Sequence, residues 1–288
     1  MSDKTRFINP YTDFGFKKLF GEEVNKDLLV DFLNQLLPQK HIIKELTFRN
    51  VENQSDVALD RKAIFDIHCI SETDERFIVE MQKAKIKYFK DRSLFYTTFP
   101  IKEQAERGDW NFRLDPIYYI AILDFFYDEE QEKAKVKRAV QLKDQDCEVF
   151  FDKLNYVFLQ MPAFNKEKDE LKSHYDKWLY FLKHLEHLED IPEILKEPVF
   201  EKAFKIAEIA NFSTDEYDAY QKSLLTYRDM VNVMKTKYEE GIEQGIEQGI
   251  ENVTIRCLKQ GKDSSEISQI TGLAIDQIEK IGKKMNDG

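Results

Sequence analysis

Two short apolar runs, each interrupted by one acidic residue, constrain this chain more than any other feature. The first is Ala63-Ile64-Phe65-Asp66-Ile67-His68-Cys69-Ile70, and the second is Arg76-Phe77-Ile78-Val79-Glu80-Met81-Gln82. Both are rich in β-branched and aromatic residues. The joint between them, residues 71–75, is polar, so the pair reads as two strands and a hairpin. A carboxylate inside an apolar strand is costly unless it is paired or binds a cation. Side chains alternate along a strand, so Glu80 and Gln82 share one face while Val79 and Met81 take the other. The neighbouring strand then brings Asp66 beside Glu80. Two carboxylates and an amide make a hard, oxygen-rich donor set, suited to Mg²⁺ or Mn²⁺ rather than Zn²⁺. Such a site activates water against a phosphodiester.

The flanking sequence builds layers around this pair. Residues 13–37 carry Phe16, Leu19, Phe20, Leu28, Leu29, Phe32 and Leu33 at helical spacing. Asp13 is a candidate cap for the first turn. A strand is expected from Ile42 to about Val51. Residues 87–107 read as a helix that Pro100 kinks or splits and Gly108-Asp109 ends. The nearly continuous apolar run over residues 116–125 suits a central strand covered on both faces. A strand pair is expected over residues 134–142 and 148–160. The order helix, three strands, helix, strand indicates an α/β sandwich. From residue 165 to about residue 238 the pattern is helical, with Trp178, Leu179, Phe181, Leu182 and Leu185 on one stripe.

The tail follows different rules. Residues 239–251 repeat Gly and Ile every four residues, at Gly241, Gly245, Gly249 and Ile242, Ile246, Ile250. Each glycine costs a helix about 1 kcal/mol relative to alanine, so a stable lone helix is not expected here. Either a small-residue ridge for self-association or a fraying hinge fits the pattern. Beyond it, Ser264 is expected to cap one short helix and Ala274 or Ile275 to open another across Thr271-Gly272-Leu273, a helix-turn-helix-like arrangement. The second helix opens with Asp276 and Glu279, which are poor readers of base edges.

The chain of 288 residues suggests about two domains with a sizeable core. No apolar run approaches the roughly 20 residues of a membrane span, and the polar first residues lack a signal-peptide core, so a cytoplasmic protein without a membrane partner is expected. Cys69, Cys147 and Cys257 are scattered and form no disulfide framework. The net charge of −11 disfavours broad affinity for nucleic acid. Locally, however, Lys83, Lys85, Lys87, Lys90 and Arg92 face only Asp91, a basic patch beside the carboxylates where a phosphate backbone would lie. His184 and His187 read as part of a solvated helix face, and His68 as a strand histidine.

Strand with Asp, hairpin, strand with Glu-x-Gln, then helix: this succession resembles the PD-(D/E)XK nucleases. It is most similar to the recombination-promoting nucleases, also labelled transposases. The opening Asn9-Pro10-Tyr11-Thr12-Asp13-Phe14-Gly15-Phe16-Lys17-Lys18-Leu19-Phe20-Gly21 resembles that family's N-terminal signature. Arg92 and Tyr96, then Gln104 and Gly108, match along the following helix, as do the run from Pro116 to Phe125 and the stretch from Asp176 to Leu182. The resemblance covers roughly the first 230 residues. Two positions depart from the superfamily pattern: Gln82 stands where Lys is usual, and Phe65 where Pro often precedes the Asp. The Glu-x-Gln version is typical of this branch.

The resemblance implies a restriction-endonuclease-like core, a mixed central sheet flanked by helices, with a helical C-terminal half and a small helical tail. The expected division is a nuclease core at residues 1–162, a helical subdomain at 163–238, the repeat at 239–252 and the tail at 253–288. It implies a Mg²⁺-dependent DNA endonuclease, with Mn²⁺ as a substitute, acting in recombination, mobile elements or defence. Asp66 and Glu80 would hold the metal, completed by the Met81 carbonyl, and Gln82 would orient water or phosphate. Lys83, Lys85 and Arg92 would hold the DNA backbone. Asp13, Tyr96 and Gln104 are accessory candidates. The repeat and tail would support a homo-oligomer. The rival expectation is an inactive DNA-binding or assembly protein that keeps the fold.

Overall fold

The computed structural model describes residues 5–38, 42–49, 66–105, 111–127, 130 and 133–286. The chain divides into two compact units, residues 1–224 and residues 225–288.

The first unit opens on a tight hydrogen-bonded turn. The Asn9 side-chain oxygen accepts the Tyr11 N–H at 2.7 Å, and the Thr12 hydroxyl donates to the Asn9 carbonyl at 2.8 Å. The same hydroxyl oxygen accepts the Gly15 N–H at 2.9 Å and so caps helix α1, Asp13–Phe20. Thr12 is therefore the cap, and Asp13 is the first helical residue, paired with Lys17 at 2.9 Å. Gly15 is required by space: a Cβ there would sit 2.2 Å from the Asn9 carbonyl oxygen. Helix α2, Lys26–Leu36, buries Leu28, Leu29, Phe32, Leu33 and Leu36. Helices α4, His174–His184, and α5, Pro198–Ala207, pack against α1 and α2. Rings of Phe20, Phe32, Phe181 and Phe200 surround the fully buried Trp178.

Six strands form one mixed sheet among the described residues: β1 (Leu46–Phe48), β2 (Ile67–Ser71), β3 (Arg76–Gln82), β4 (Ile117–Leu123), β5 (Lys137–Lys143) and β6 (Val149–Gln160). Their spatial order is β1-β2-β3-β4-β6-β5. β3, β4 and β6 are parallel neighbours at the centre, and the outer pairs are antiparallel. Every residue of β4 is buried, as its unbroken apolar run predicts for a strand covered on both sides. Helix α3, Phe89–Glu103, connects β3 to β4. Beneath it lie Ile78, Tyr119, Ala121, Leu123, Tyr156 and Phe158. This mixed sheet with its flanking helices and helical C-terminal half is the restriction-endonuclease-like architecture expected.

Several local expectations shift. The first strand of the key pair starts at Ile67, with Asp66 in a bend just before it; residues 62–65 lie outside the described residues. The strand expected from residue 42 is confined to Leu46–Phe48, and residues 50 and 51 also lie outside. Pro100 does not split α3, which continues to Glu103. A proline so near the end removes one hydrogen bond and leaves a single turn beyond it. Gly108 and Asp109 lie outside the described residues.

Helix α6, Thr214–Lys259, runs without interruption through the Gly/Ile repeat, where no stable helix was expected from propensity. Within the second unit, Cys257 near its end packs with Ile267 of α7, Ser264–Thr271, and Ile278 of α8, Ile275–Asn286. Asp263 caps α7 in place of Ser264: its side chain accepts the N–H groups of Ser265 and Glu266. Gly272, at φ 75°, ends α7 in the left-handed conformation that glycine adopts without penalty. No described helix is long and apolar enough to cross a membrane.

Candidate active site

The site assembles where β2, β3 and β4 lie side by side. Glu80 faces Ala121 of β4 in the parallel register, and Ile78 faces Tyr119. The small Ala121 leaves room above Glu80, and Tyr119 reaches diagonally to it. The Tyr119 hydroxyl donates to Glu80 Oε2 at 2.8 Å, and Gln82 Nε2 donates to the same oxygen at 2.7 Å. Glu80 and Gln82 thus share a face, as strand alternation requires. Glu80 Oε1 receives neither of these donors.

Asp66 sits at the start of β2. Its Oδ2 accepts the Met81 N–H at 2.7 Å, so the carboxylate takes up a main-chain donor that the sheet would otherwise have to satisfy. Its charge is felt by Glu80. Burial pushes the Glu80 carboxyl up to about 7, and the Asp66 charge adds to the rise; the Tyr119 and Gln82 hydrogen bonds and the Arg92 charge oppose it. Burial also raises Asp66, helped by the Asp13 charge and opposed by the Met81 hydrogen bond, Lys17 and Lys83. Two buried acids, one of them raised by the charge of the other, are poised for an external positive charge.

The positive groups are unequal. Lys83 is half-buried at the end of β3, and burial lowers its ammonium pKa against the pull of Asp13 and Asp66. Lys85, Lys87 and Lys90 are exposed in the connection and first turn leading into α3. Arg92 lies over the Tyr96 ring, 4.8 Å from its centroid, and its charge acts on Glu80. Its Nε is buried without a hydrogen-bond partner. A buried donor without an acceptor is costly and suits an anionic oxygen. Tyr96 is raised by burial and by the Glu80 charge.

The predicted residues therefore divide. Asp66, Glu80, Met81, Gln82, Lys83, Arg92, Tyr96 and Asp13 converge on one electrostatic neighbourhood. Gln104 lies elsewhere, at the far end of α3. Its Oε1 accepts the Asp115 N–H at 2.6 Å and its Nε2 donates to the Pro100 carbonyl at 3.0 Å, which clasps the helix end to the start of β4. His68 faces Arg76 and Glu103 and titrates low, at about 4, through burial first and then the charges of Arg76 and Arg49. Tyr119 was not singled out in the sequence. Its only local signal is a hydroxyl inside an apolar central strand, and its relation to Glu80 depends on the β3–β4 register.

Among the described residues, no group of three or more His, Cys, Asp and Glu converges as a cation site. The oxygens that could hold a cation here are those of Asp66 and Glu80, with neutral donors such as main-chain carbonyls and the Gln82 amide. A hard divalent cation fits such a set, which contains no thiolate or imidazole. No curated protein and no solved structure matches the chain significantly. A family model described as "PD-(D/E)XK nuclease family transposase" matches residues 10–237, a span holding the whole site, and the chain belongs to that family.

Proposed function

We propose that this protein is a metal-dependent DNA endonuclease whose centre is Asp66, Glu80 and Gln82. The observation that carries this reading is the buried Glu80, held through one oxygen by two donors and raised toward neutrality beside a second carboxylate. Asp66, Glu80 and the Met81 carbonyl would hold Mg²⁺, with Mn²⁺ as a substitute, in keeping with the divalent metals that PD-(D/E)XK nucleases generally use. When bound, the cation lowers the pKa of a water and neutralises charge on the scissile phosphate.

The chain's own residues do the rest. Tyr119 and Gln82 fix the Glu80 carboxylate so that it does not rotate away. Their shared use of Oε2 directs the other oxygen to the ligand. Gln82 has no charge to offer a phosphate, so that part falls to Lys83 and Arg92. Lys83, half-desolvated, neutralises an approaching phosphate more strongly than an exposed lysine would. Arg92 presents its unpaired Nε, with Tyr96 bracing the guanidinium. Lys85 and the exposed lysines beside it guide the DNA backbone toward the site. Asp13, at the first turn of α1, pairs with Lys17, and the charges of both act on Asp66. The biological setting is DNA breakage that promotes recombination, serves a mobile element or defends the cell.

The test is incubation with supercoiled plasmid in Mg²⁺, in Mn²⁺ and in chelator, with Asp66→Ala alongside. Nicking or linearisation that needs metal and is lost in the variant supports the reading. Cleavage by Asp66→Ala at the wild-type rate overturns the site. Absence of cleavage in every metal overturns the enzymatic reading in favour of a DNA-binding protein that keeps the fold.

A further inference from the structure

We infer that Phe95 is a stacking platform for an unpaired base beside the phosphate site, which makes single-stranded or locally opened DNA the preferred substrate. The inference rests on the reading of Asp66 and Glu80 as a DNA-cutting centre and names the class of DNA cut. Helix α3 turns Phe89, Ser93, Thr97 and Pro100 inward. Tyr96 and Phe99, partly buried, pack on the core beneath. Phe95 is in ring contact with both and is itself 46% exposed. Single exposed apolar residues are ordinary; the setting of this one singles it out.

The Phe95 ring meets Phe99 at 90° with centroids 5.2 Å apart, and Tyr96 at 46° and 6.3 Å. These contacts orient the ring before a ligand arrives, so little side-chain freedom is lost on binding. Tyr96 in turn lies under the Arg92 guanidinium at 4.8 Å, and the Glu80 charge acts on Tyr96. A line of π surface therefore leads from the carboxylates and Arg92 out to Phe95. Residues three apart on a helix are neighbours, with about 5–6 Å between Cβ atoms. Arg92, whose Nε is unpaired, and Phe95 are thus placed to take the phosphate and the base of one nucleotide. Asp91, also one turn before Phe95, leaves that phosphate to Arg92. Charge agrees. Residues 83–92 hold Lys83, Lys85, Lys87, Lys90 and Arg92 against Asp91 alone, a local excess that draws a phosphate backbone onto a chain of net charge −11.

The state of the DNA follows from stacking. In an intact duplex both faces of each base are covered by its neighbours, and a protein surface meets phosphates, sugars and base edges. A phenyl ring without a hydrogen-bonding group gains little there. In a single strand the bases turn outward. Stacking one of them on an aromatic side chain is worth about 5- to 150-fold in affinity, with little regard to its identity. Phe95 therefore selects structure and not sequence.

One oligonucleotide sequence offered as single strand, as full duplex and as a duplex with a central unpaired loop tests this. Cleavage is read in Mn²⁺, and binding by fluorescence anisotropy in an Asp66→Ala background, where nothing is cut. Wild type is expected to favour the single strand and the loop over the duplex. Phe95→Ala is expected to reduce that preference about 10-fold in both readouts, and Phe95→Trp to keep it. A fluorescent adenine analogue in the loop is expected to be quenched by saturating Asp66→Ala chain, and not once Phe95→Ala is added to it. An undiminished preference in Phe95→Ala, a loss that falls on duplex and unpaired DNA alike, or a wild type that favours duplex overturns the inference. In each of those cases metal-dependent cleavage that is lost in Asp66→Ala still supports the nuclease reading. Phe95-dependent binding of unpaired DNA without cleavage in any metal supports the platform and overturns the nuclease reading instead.

Discussion

The Glu80 pocket and the bare stretch of α6, residues 231–249, exposed throughout, are opposite departures from ordinary folding. In the pocket a charged group is buried; on the helix apolar groups are exposed. The pocket is offset locally, since Tyr119 and Gln82 both donate to Glu80 and Met81 donates to Asp66. The bare stretch of α6 carries exposed ion pairs such as Lys237 with Glu240 at 2.7 Å, and these do nothing for Ile242 or Ile246. What each region lacks is specific to its chemistry. Two buried carboxylates, one raised by the charge of the other, call for a cation, and a bare apolar stripe calls for an apolar cover.

The contrast is broken first at the pocket. Glu80→Ala and Asp66→Ala are each expected to lower plasmid cleavage by about 1000-fold or more, because the cation's contribution to the transition state amounts to several kcal/mol. Circular dichroism should show both variants folded. Variants that cleave normally would leave the pocket as an unusual core and nothing more.

A subtler change separates the carboxylate from its clamp. Tyr119→Phe removes one donor to Glu80 and keeps the ring among Tyr156 and Phe158. Mn²⁺ affinity by calorimetry is expected to fall about 10- to 100-fold, the usual effect of losing a partner of a metal ligand. Unchanged affinity would show that Gln82 alone holds Glu80.

Burying the charge also carries a stability cost that depends on pH. Glu80 has an ordinary value of 4.5 and titrates at about 7 in the fold, so the folded state binds its proton more tightly than the unfolded state. The metal-free protein therefore loses stability as pH rises from about 4.5 and has lost the full amount above about 7. Glu80→Gln is expected to remove that loss, raising stability at pH 8 by about 3 kcal/mol with no gain at pH 4. Equal melting shifts at both pH values would refute the buried charge as the cause. On the exposed helix the same kind of change does little: Lys237→Gln should shift stability by less than about 0.5 kcal/mol in chemical denaturation.

These two regions also differ in how far the sequence discloses them. Glu80 and Gln82 stand out in a β-branched run, and alternation alone sets them on one face. Asp66 was legible as their partner, although it caps the strand's start and does not lie within it. Tyr119 was not legible, because its contact depends on the parallel register of β3 and β4, which nonlocal packing decides. Thr12, and not Asp13, caps α1, because the hydroxyl also reaches the Asn9 carbonyl in a turn that only the folded chain displays. Gln104 shows the converse: its position in a motif pointed to the site, while its hydrogen bonds tie the other end of α3 to β4. The continuous α6 runs against glycine propensity, which is a weak signal at single positions.

The most direct measurement is calorimetric titration of the purified chain with Mn²⁺ near pH 7, in two buffers of different ionisation enthalpy. The account predicts binding at one site that includes Asp66 and Glu80, with release of part of a proton as the cation displaces it from Glu80, and loss of that binding in Asp66→Ala and in Glu80→Ala. No binding by the wild type, or binding that survives both substitutions, would contradict it.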